Sequence, residues 1–152
     1  MRSVLQRVLE AKVGVDGKTV GEIGPGLLVL LGVGAGDTEQ DVEWMVEKVS
    51  SLRIFEDDAG KMNTSVLDGS KAILAVSQFA LFADTRKGRR PSFLDAMAPE
   101  EAKRLYARFC ERSRATGLSV AQGVFAADMK VSLVNDGPVT ICLDSRTALN
   151  LA

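Results

Sequence analysis

The sequence predicts a mixed α+β fold: a single domain over residues 1–152 in which a barrel- or sandwich-like β-sheet packs with two main helices. The chain length is typical of one domain, and a hydrophobic content of 46% is enough to fill one core. Strand-like runs fall into two groups, and two amphipathic helical stretches accompany them. The chain contains no repeat, low-complexity stretch or linker, so we expect no second domain.

The first predicted strands lead into a hairpin. Residues 3–7 and 11–15 carry alternating or β-branched side chains, as half-buried strands do. Asp16-Gly17 is typical of a tight hairpin turn, and residues 18–23 form the return strand.

A buried strand and a helix follow. The apolar run at 27–31, set off by Gly24-Pro25-Gly26, has the length of one buried strand. Asp37 is a candidate helix N-cap because Gln40 stands three residues later. Apolar residues then recur at spacings of three and four, which predicts one buried helical face. These residues are Val42, Met45, Val46, Val49 and Leu52.

The second half of the chain repeats these patterns. A turn is predicted at 57–60 and a buried strand at 72–79. A second helix is predicted from near Pro99 to just before Gly117. Its inward-facing residues are Ala102, Leu105, Tyr106 and Phe109. Residues 129–133 and 139–143 predict two last strands, and base rates alone favour a trans Gly137-Pro138 turn between them.

Composition excludes several kinds of site. The chain contains no histidine, which rules out a Ser-His-Asp or Cys-His relay and any imidazole zinc site within it, and we expect neither metal nor cofactor. Cys110 and Cys142 lack Cys-x-x-Cys spacing, so buried free thiols are favoured over a disulfide. No run approaches a membrane span and the start lacks a signal-peptide core, so a cytoplasmic protein is expected.

Charge is concentrated in one loop. The net charge of -1 argues against indiscriminate nucleic-acid binding, yet four cations, Arg86, Lys87, Arg89 and Arg90, fall within five residues. Further basic residues follow: Lys103, Arg104, Arg108, Arg112 and Arg114. They are compatible with a phosphate-facing patch, or with a solvated loop and an exposed helix face. The residues alone favour the second interpretation.

Ser77 stands where a predicted strand ends, a place where functional side chains are often presented. It is compatible with a nucleophile, an oxyanion donor or a structural hydrogen-bond partner. A lone serine without an identified base is a weak nucleophile, so the residues alone favour the structural role. The backbone N–H groups of Gln78 and Phe79 are better candidates, because such donors can stabilise a developing oxyanion.

Two segments carry a family resemblance: Ser77-Gln78-Phe79-Ala80-Leu81, continuing through the basic stretch 84–93, and Asn135-Asp136-Gly137-Pro138-Val139-Thr140. Together they resemble the D-aminoacyl-tRNA deacylase family. Other stretches are similar to that family in the same order, so the resemblance covers nearly the whole chain. They are Gln6-Arg7, residues 24–32, Arg53-Ile54-Phe55, residues 60–63 and residues 125–129.

The resemblance implies an obligate homodimer that hydrolyses the ester between a D-amino acid and the 3′-terminal ribose of tRNA, with glycyl-tRNA as a second candidate substrate. The catalytic segment would be Ser77, Gln78, Phe79 and Ala80. Position 80 departs from the family, whose members mostly carry threonine there, and alanine cannot attack an ester. Either the nucleophile lies elsewhere, with the 2′-hydroxyl of the terminal adenosine assisting, or the chain is altered and inactive at this site. A non-catalytic tRNA binder and a structural dimerisation domain are the alternatives.

The resemblance also assigns the binding residues. It implies that Gly137-Pro138 is a cis pair inserted into the partner subunit's active site, where its carbonyls face the substrate amino group and exclude an L-residue. Asn135 and Thr140 would hold this geometry. Further residues would line the pocket, with a core role as the alternative: Phe125, Ala126 and Met129. The basic loop would grip the acceptor end of tRNA, and its residues are Arg86, Lys87, Arg89 and Arg90.

Overall fold

A six-stranded sheet organises the chain in the computed structural model, which describes residues 1–149. The strands are β1 (Arg2–Val15), β2 (Lys18–Ile23), β3 (Gly26–Gly32), β4 (Phe55–Glu56), β5 (Met62–Thr64), β6 (Ala72–Ser77), β7 (Ser119–Gln122) and β8 (Lys130–Asp144). The helices are α1 (Glu39–Ser51), α2 (Pro99–Ala115) and α3 (Ser145–Ala148), with a 3₁₀ turn at Phe79–Phe82. The predicted α+β class with two main helices is confirmed.

The long strand β1 holds the sheet together. The strand order is β2-β1-β3-β6-β7, with β4 and β5 forming a separate small hairpin. The first half of β1 pairs with β3 and the second half with β2, while β8 runs antiparallel along both halves. β3, β6 and β7 are mutually parallel. Because β2 also lies against β7, the sheet curls until it is nearly closed.

Core residues occupy both faces of the central strands. Leu27, Val29 and Leu31 of β3 pack in the cluster beneath the helices, whereas Leu28 joins a second cluster inside the curve of the sheet. This alternation follows from the two-residue period of a strand. Burial on both faces explains why 27–31 is an uninterrupted apolar run.

Helix α1 begins one residue later than the sequence predicts. Thr38 is the N-cap, and it forms a capping box with Asp41. Asp37 has other partners, because its Oδ2 accepts from the Gly34 N–H at 2.7 Å and its Oδ1 pairs with Arg146 at 3.2 Å. The apolar face was correctly predicted, and four of its five residues are buried while Leu52 is half-buried.

Several local predictions are confirmed. Asp16 and Gly17 both have positive φ, 50° and 77°, as the predicted hairpin turn requires. The strand 18–23 has the expected bounds, and helix α2 spans the expected region. Cys110 is a buried free thiol, but Cys142 is exposed on β8, so burial of the second thiol was wrongly predicted. Within residues 1–149, no helix combines the length and apolarity needed to cross a membrane.

Two expectations about strand ends are corrected. Residues 3–7 and 11–15 belong to one strand, and the two predicted final strands merge into β8. Gly137-Pro138 is therefore not a turn between strands but part of a bulge in β8, where the four residues 136–139 lie opposite Arg7 alone. A bulge suits proline, which has no N–H for the ladder. The expected cis bond is also wrong, since residues 1–149 contain no cis peptide.

Candidate functional site

A cavity of about 690 Å³ opens at the carboxyl end of β6. Three stretches of chain form its walls: the end of β6 with the following turn, the segment leading into α2, and the β7–β8 connection. The lining residues are Val76, Ser77, Gln78, Phe79, Phe93, Ala96, Met97, Ala98, Pro99, Ala102, Phe125, Ala126, Ala127, Asp128, Met129 and Val131. The cavity thus unites three of the four predicted catalytic residues with the predicted pocket residues Phe125, Ala126 and Met129.

The predicted oxyanion donors differ in availability. The Gln78 N–H donates to the Leu31 carbonyl at 2.8 Å, which extends the β3–β6 pairing, so this amide is not free for a substrate. The Phe79 N–H donates no hydrogen bond to any residue in the described part of the chain, and Phe79 lines the cavity. Of the two amides that the sequence suggested, only that of Phe79 is available to stabilise an oxyanion.

Ser77 is half-buried and lies on the cavity wall, where the described lining residues include no basic side chain. Lys71 precedes β6, about 20 Å from Ser77 at the usual rise of a strand, and its ammonium lies 5.0 Å from the Phe55 ring centroid. Asp128 is the one ionisable side chain among the described lining residues, and it is paired with Lys130 at 3.0 Å. The geometry therefore does not make Ser77 an activated nucleophile.

Ala80 lies in the exposed 3₁₀ turn and is not among the residues that line the cavity. Its methyl group can neither attack nor polarise an ester. The position at which the chain departs from the family pattern is therefore peripheral to the cavity.

Another wall of the cavity is a strained turn. The Ala127 N–H donates to the Val124 carbonyl at 3.1 Å, and Ala126 has a φ of 64°, which is rare for a residue with a side chain. Phe125 is held against Tyr106, with ring centroids 6.0 Å apart. The Tyr106 hydroxyl donates to the Ala75 carbonyl at 2.8 Å, and burial raises its pKa well above the usual range. These contacts of Phe125 and Tyr106 support the strained turn at Ala126.

The Gly137-Pro138 bulge lies away from this cavity. Ser77 pairs with Leu31, Leu31 with Ser3 and Ser3 with Leu143, so three strand spacings, about 14 Å, separate Ser77 from β8. Because the bulge places Gly137 opposite Arg7, Gly137 lies four positions along β1 from Ser3, about 13 Å at the rise of a strand. Asn135, Gly137, Pro138 and Thr140 are all exposed, and none of them lines the cavity of their own chain.

Arg7 anchors the bulge. Arg7 is 8% exposed, and its guanidinium donates from Nε to the Asp136 carbonyl at 2.9 Å and from Nη1 to the Ile54 carbonyl at 2.9 Å. Gly137, which follows Asp136, has a φ of 70°. No local sequence pattern predicts these contacts of Arg7, because its partners lie 129 and 47 residues away.

Hydrogen bonds join the two ends of the basic loop, and only some of its cations are available to bind an anion. Asp84 and Ser92 exchange two backbone hydrogen bonds, of 2.7 and 2.9 Å. Arg86 forms two bonds to the Asp84 carboxylate, at 2.8 and 2.7 Å, and this contact lowers the pKa of Asp84 to about 2. Within this loop, the exposed cations that make no ion pair with any described residue are Lys87, Arg89 and Arg90.

Most of the basic residues on α2 have a structural role instead. Arg104 and Arg108 both pair with Glu39, at 3.1 and 3.2 Å, and Arg112 pairs with Glu43 at 2.7 Å. These contacts join α2 to α1. The second part of the possible phosphate-facing patch is thus largely neutralised.

Sequence reasoning missed part of the cavity. Phe93 was seen only as the end of the basic stretch, yet it packs edge-to-face on Phe79 with ring centroids 4.9 Å apart. Met97 and Pro99 also line the cavity, and no local pattern distinguished them from an ordinary loop and helix start.

The fold and site define a class of protein: an α+β protein with an open cavity beside a cationic loop, as suits an anionic substrate. The chain belongs to the D-Tyr-tRNA(Tyr) deacylase family, whose model matches residues 4–144. The D-aminoacyl-tRNA deacylase of Myxococcus xanthus is 67% identical over 145 residues, which cover 95% of each chain. The D-aminoacyl-tRNA deacylase of Geobacter sulfurreducens is 61% identical over 147 residues, 97% of each chain.

Solved structures share the fold. A structure described as c-Myc DNA Unwinding Element Binding Protein has a TM-score of 0.90 and 44% identity, covering 95% of this chain and 98% of its own. A probable eukaryotic D-amino acid tRNA deacylase has a TM-score of 0.81 and 21% identity, covering 94% and 98%. The family predicted from the sequence is confirmed, and the alternative of a non-catalytic binder finds no support in relatives named as deacylases.

Proposed function

We propose that this protein hydrolyses the ester between a D-amino acid and the 3′-terminal ribose of tRNA in the cavity beside Ser77. The observation that carries this proposal is the location of the cavity. It lies at the Ser77-Gln78-Phe79 segment of a chain that is 67% identical to a named D-aminoacyl-tRNA deacylase.

The reaction needs an oxyanion donor and a means of activating water. Water adds to the ester carbonyl carbon, and the resulting oxyanion accepts a hydrogen bond from the Phe79 N–H. The bond to the ribose 3′-oxygen then breaks, and this oxygen takes the proton lost by water. The products are the free D-amino acid and tRNA with a 3′-hydroxyl. Because Asp128 is the one ionisable side chain among the described lining residues and is paired with Lys130, the 2′-hydroxyl of the terminal adenosine is the group proposed to assist the water, and Ser77 orients the ester.

We propose further that the protein acts as a homodimer in which Gly137-Pro138 reaches the partner's cavity. The separation within one chain supports this, as does the exposure of both residues on a bulge that Arg7 holds in place. Their carbonyls would face the substrate amino group, with Asn135 and Thr140 flanking them. Rigid backbone at this point would clash with an L side chain but would not contact a D side chain. Glycyl-tRNA, which has no side chain, would therefore remain a substrate.

The acceptor end of tRNA would lie along the basic loop. Lys87, Arg89 and Arg90 are available for phosphates, whereas Arg86 is committed to Asp84. Phosphate contacts of this kind weaken steeply with salt. Since aminoacyl-tRNA is used in the cytoplasm, we propose that the reaction takes place there. We also propose that residues 1–152 form one domain.

The test is hydrolysis of D-Tyr-tRNA, L-Tyr-tRNA and a D-Tyr-tRNA whose terminal ribose lacks the 2′-hydroxyl. We expect release from the first substrate alone. Turnover of the 2′-deoxy substrate at the normal rate would rule out the role of the 2′-hydroxyl. Binding of all three without hydrolysis would show a non-catalytic binder.

Two variants separate the parts of the proposal. Pro138→Ala should impair hydrolysis or chiral selection while tRNA affinity is kept, because the residue would contact the aminoacyl group only. The matched control is Pro25→Ala, which alters an exposed proline that also follows a glycine. Equal D-specific turnover in the two variants would remove Gly137-Pro138 from the proposed filter.

A further inference from the structure

We propose that the side chains of Phe79 and Phe93 form a stacking site for the unpaired 3′-terminal base of tRNA, an inference that rests on the proposed function. The two rings lie at the cavity, and nothing in the family resemblance assigned a role to either side chain. The Phe79 side chain thus has a role separate from that of its backbone N–H.

The exposure of the pair is its first unusual property. Phe79 is 60% exposed and Phe93 is 37% exposed, although their rings are in edge-to-face contact at 4.9 Å. Single exposed apolar residues are normal on protein surfaces, whereas contiguous exposed apolar area, such as these two contacting rings provide at the cavity, suits a binding surface. Phe79 keeps most of its ring surface free for another flat group after its contact with Phe93.

The surrounding charge identifies the kind of ligand. Lys87, Arg89 and Arg90 precede Phe93 by three to six residues, and the hydrogen bonds between Asp84 and Ser92 fix the loop ends beside that ring. A ligand that offers both a flat apolar face and negative charge is a nucleotide. Single-stranded RNA ends bind proteins in this way, with bases stacked on aromatic rings and phosphates held by cations. An apolar protein segment would leave the three cations without partners.

The position of the pair links base binding to the reaction. Phe79 and Ser77 are two residues apart and both line the cavity. A terminal base stacked on Phe79 would hold its ribose, and the ester on that ribose, at the cavity wall near the Phe79 N–H. Such positioning lowers the entropy cost of reaching the reactive geometry.

The experiment measures binding of an uncharged acceptor-stem RNA hairpin with a single-stranded 3′ end, with or without its terminal base. Stacking on an aromatic side chain is worth about tenfold or more in affinity, so the unaltered protein should bind the intact RNA about tenfold more tightly than the abasic RNA. In Phe79→Leu the ratio should fall to about one, since leucine keeps the backbone N–H and apolar character but has no ring. Phe93→Leu should lower the ratio as well, and Phe79→Trp should keep it.

Two matched variants control for general effects. Leu94→Ala removes a neighbouring side chain that is 90% exposed, and it should leave the ratio unchanged. Arg89→Gln should lower the affinity for both RNAs by the same factor, because a phosphate contact does not depend on the base.

Equal binding of the two RNAs by the unaltered protein would overturn the proposal, and so would an unchanged ratio in Phe79→Leu. A changed sedimentation coefficient in Phe79→Leu with an unchanged ratio would likewise overturn it, because the rings would then contact another protein chain. Hydrolysis of D-Tyr-tRNA by the unaltered protein is measured in parallel. If it proceeds while the ratio is one, the stacking site alone is wrong; if it is absent, the proposed function fails.

Discussion

Replacing Arg7 by methionine tests whether this side chain holds the bulge that carries Gly137-Pro138. Methionine keeps much of the length and apolar stem of arginine but donates no hydrogen bond. The substitution therefore leaves the carbonyls of Asp136 and Ile54 without the donors that now lie 2.9 Å from each.

The size of the effect follows from those two bonds. A hydrogen bond to a charged group contributes about 1.5–3 kcal/mol, so the two together give about 3–6 kcal/mol. Part of this is offset, because the variant no longer has to bury a charge. We expect a loss of about 2–4 kcal/mol in the free energy of unfolding, which for a chain of this size lowers Tm by about 5–15 °C.

The assay combines thermal unfolding with hydrolysis of D- and L-Tyr-tRNA well below the Tm of the variant. If the bulge is the proposed chirality filter, D-specific turnover should fall or L-Tyr-tRNA should become a substrate. Arg53→Met is the matched control, since Arg53 is exposed and lies 3.5 Å from its partner Asn63. We expect the control to change stability by less than about 0.5 kcal/mol.

Two results would refute the reasoning on Arg7. A Tm like that of the control would mean that the two hydrogen bonds do not stabilise the fold. A clear loss of Tm with unchanged rate and chirality would mean that Arg7 stabilises the sheet but does not position the filter.

Three further predictions concern the sheet, the thiols and the basic loop. Gly26→Ala should destabilise the protein by more than about 3 kcal/mol in urea unfolding, because a methyl group there would overlap a backbone carbonyl of β6; a loss below about 1 kcal/mol would contradict this. A thiol reagent at pH 8 should modify Cys142 and spare Cys110, which is buried with its pKa raised to about 11, until the protein is unfolded. Arg89→Gln should lower the salt dependence of tRNA binding by roughly one phosphate contact, whereas Arg86→Gln should change it little, and equal slopes would refute the division of the loop.

The sequence predicts well what is decided locally. Leu27 to Leu31 is apolar at every position, which a strand buried on both faces requires, and the spacing of Val42, Met45 and Val49 fixes the inner face of α1. The N-cap was misplaced by one residue because Asp37 and Thr38 are both good caps. A distant contact, the ion pair of Asp37 with Arg146, leaves Thr38 to cap the helix.

The candidate site depends on contacts that no local pattern contains. The sequence predicts that Ser77 lies at a strand end. The hydrogen bond from the Gln78 N–H to the Leu31 carbonyl, however, depends on how β6 pairs with β3. The bulge was predicted as a turn, because glycine and proline break a ladder in either setting. A bulge and a turn are distinguished here only because β8 pairs with β1 both before and after residues 136–139.

The same pairing connects both parts of the proposed site to the central strands. β1 carries Arg7 opposite the bulge of β8, and its other edge pairs with β3, which in turn pairs with the strand that ends at Ser77. A shift of the bulge would therefore have to strain the central strands, where apolar residues are buried on both faces. A filter that excludes L-residues by backbone contact needs such support, because functional geometry has to be held to within about 0.5 Å. The sheet would thus support the proposed reaction centre and the proposed filter at two separate places on one chain, and the proposed dimer would bring one of each together in every cavity.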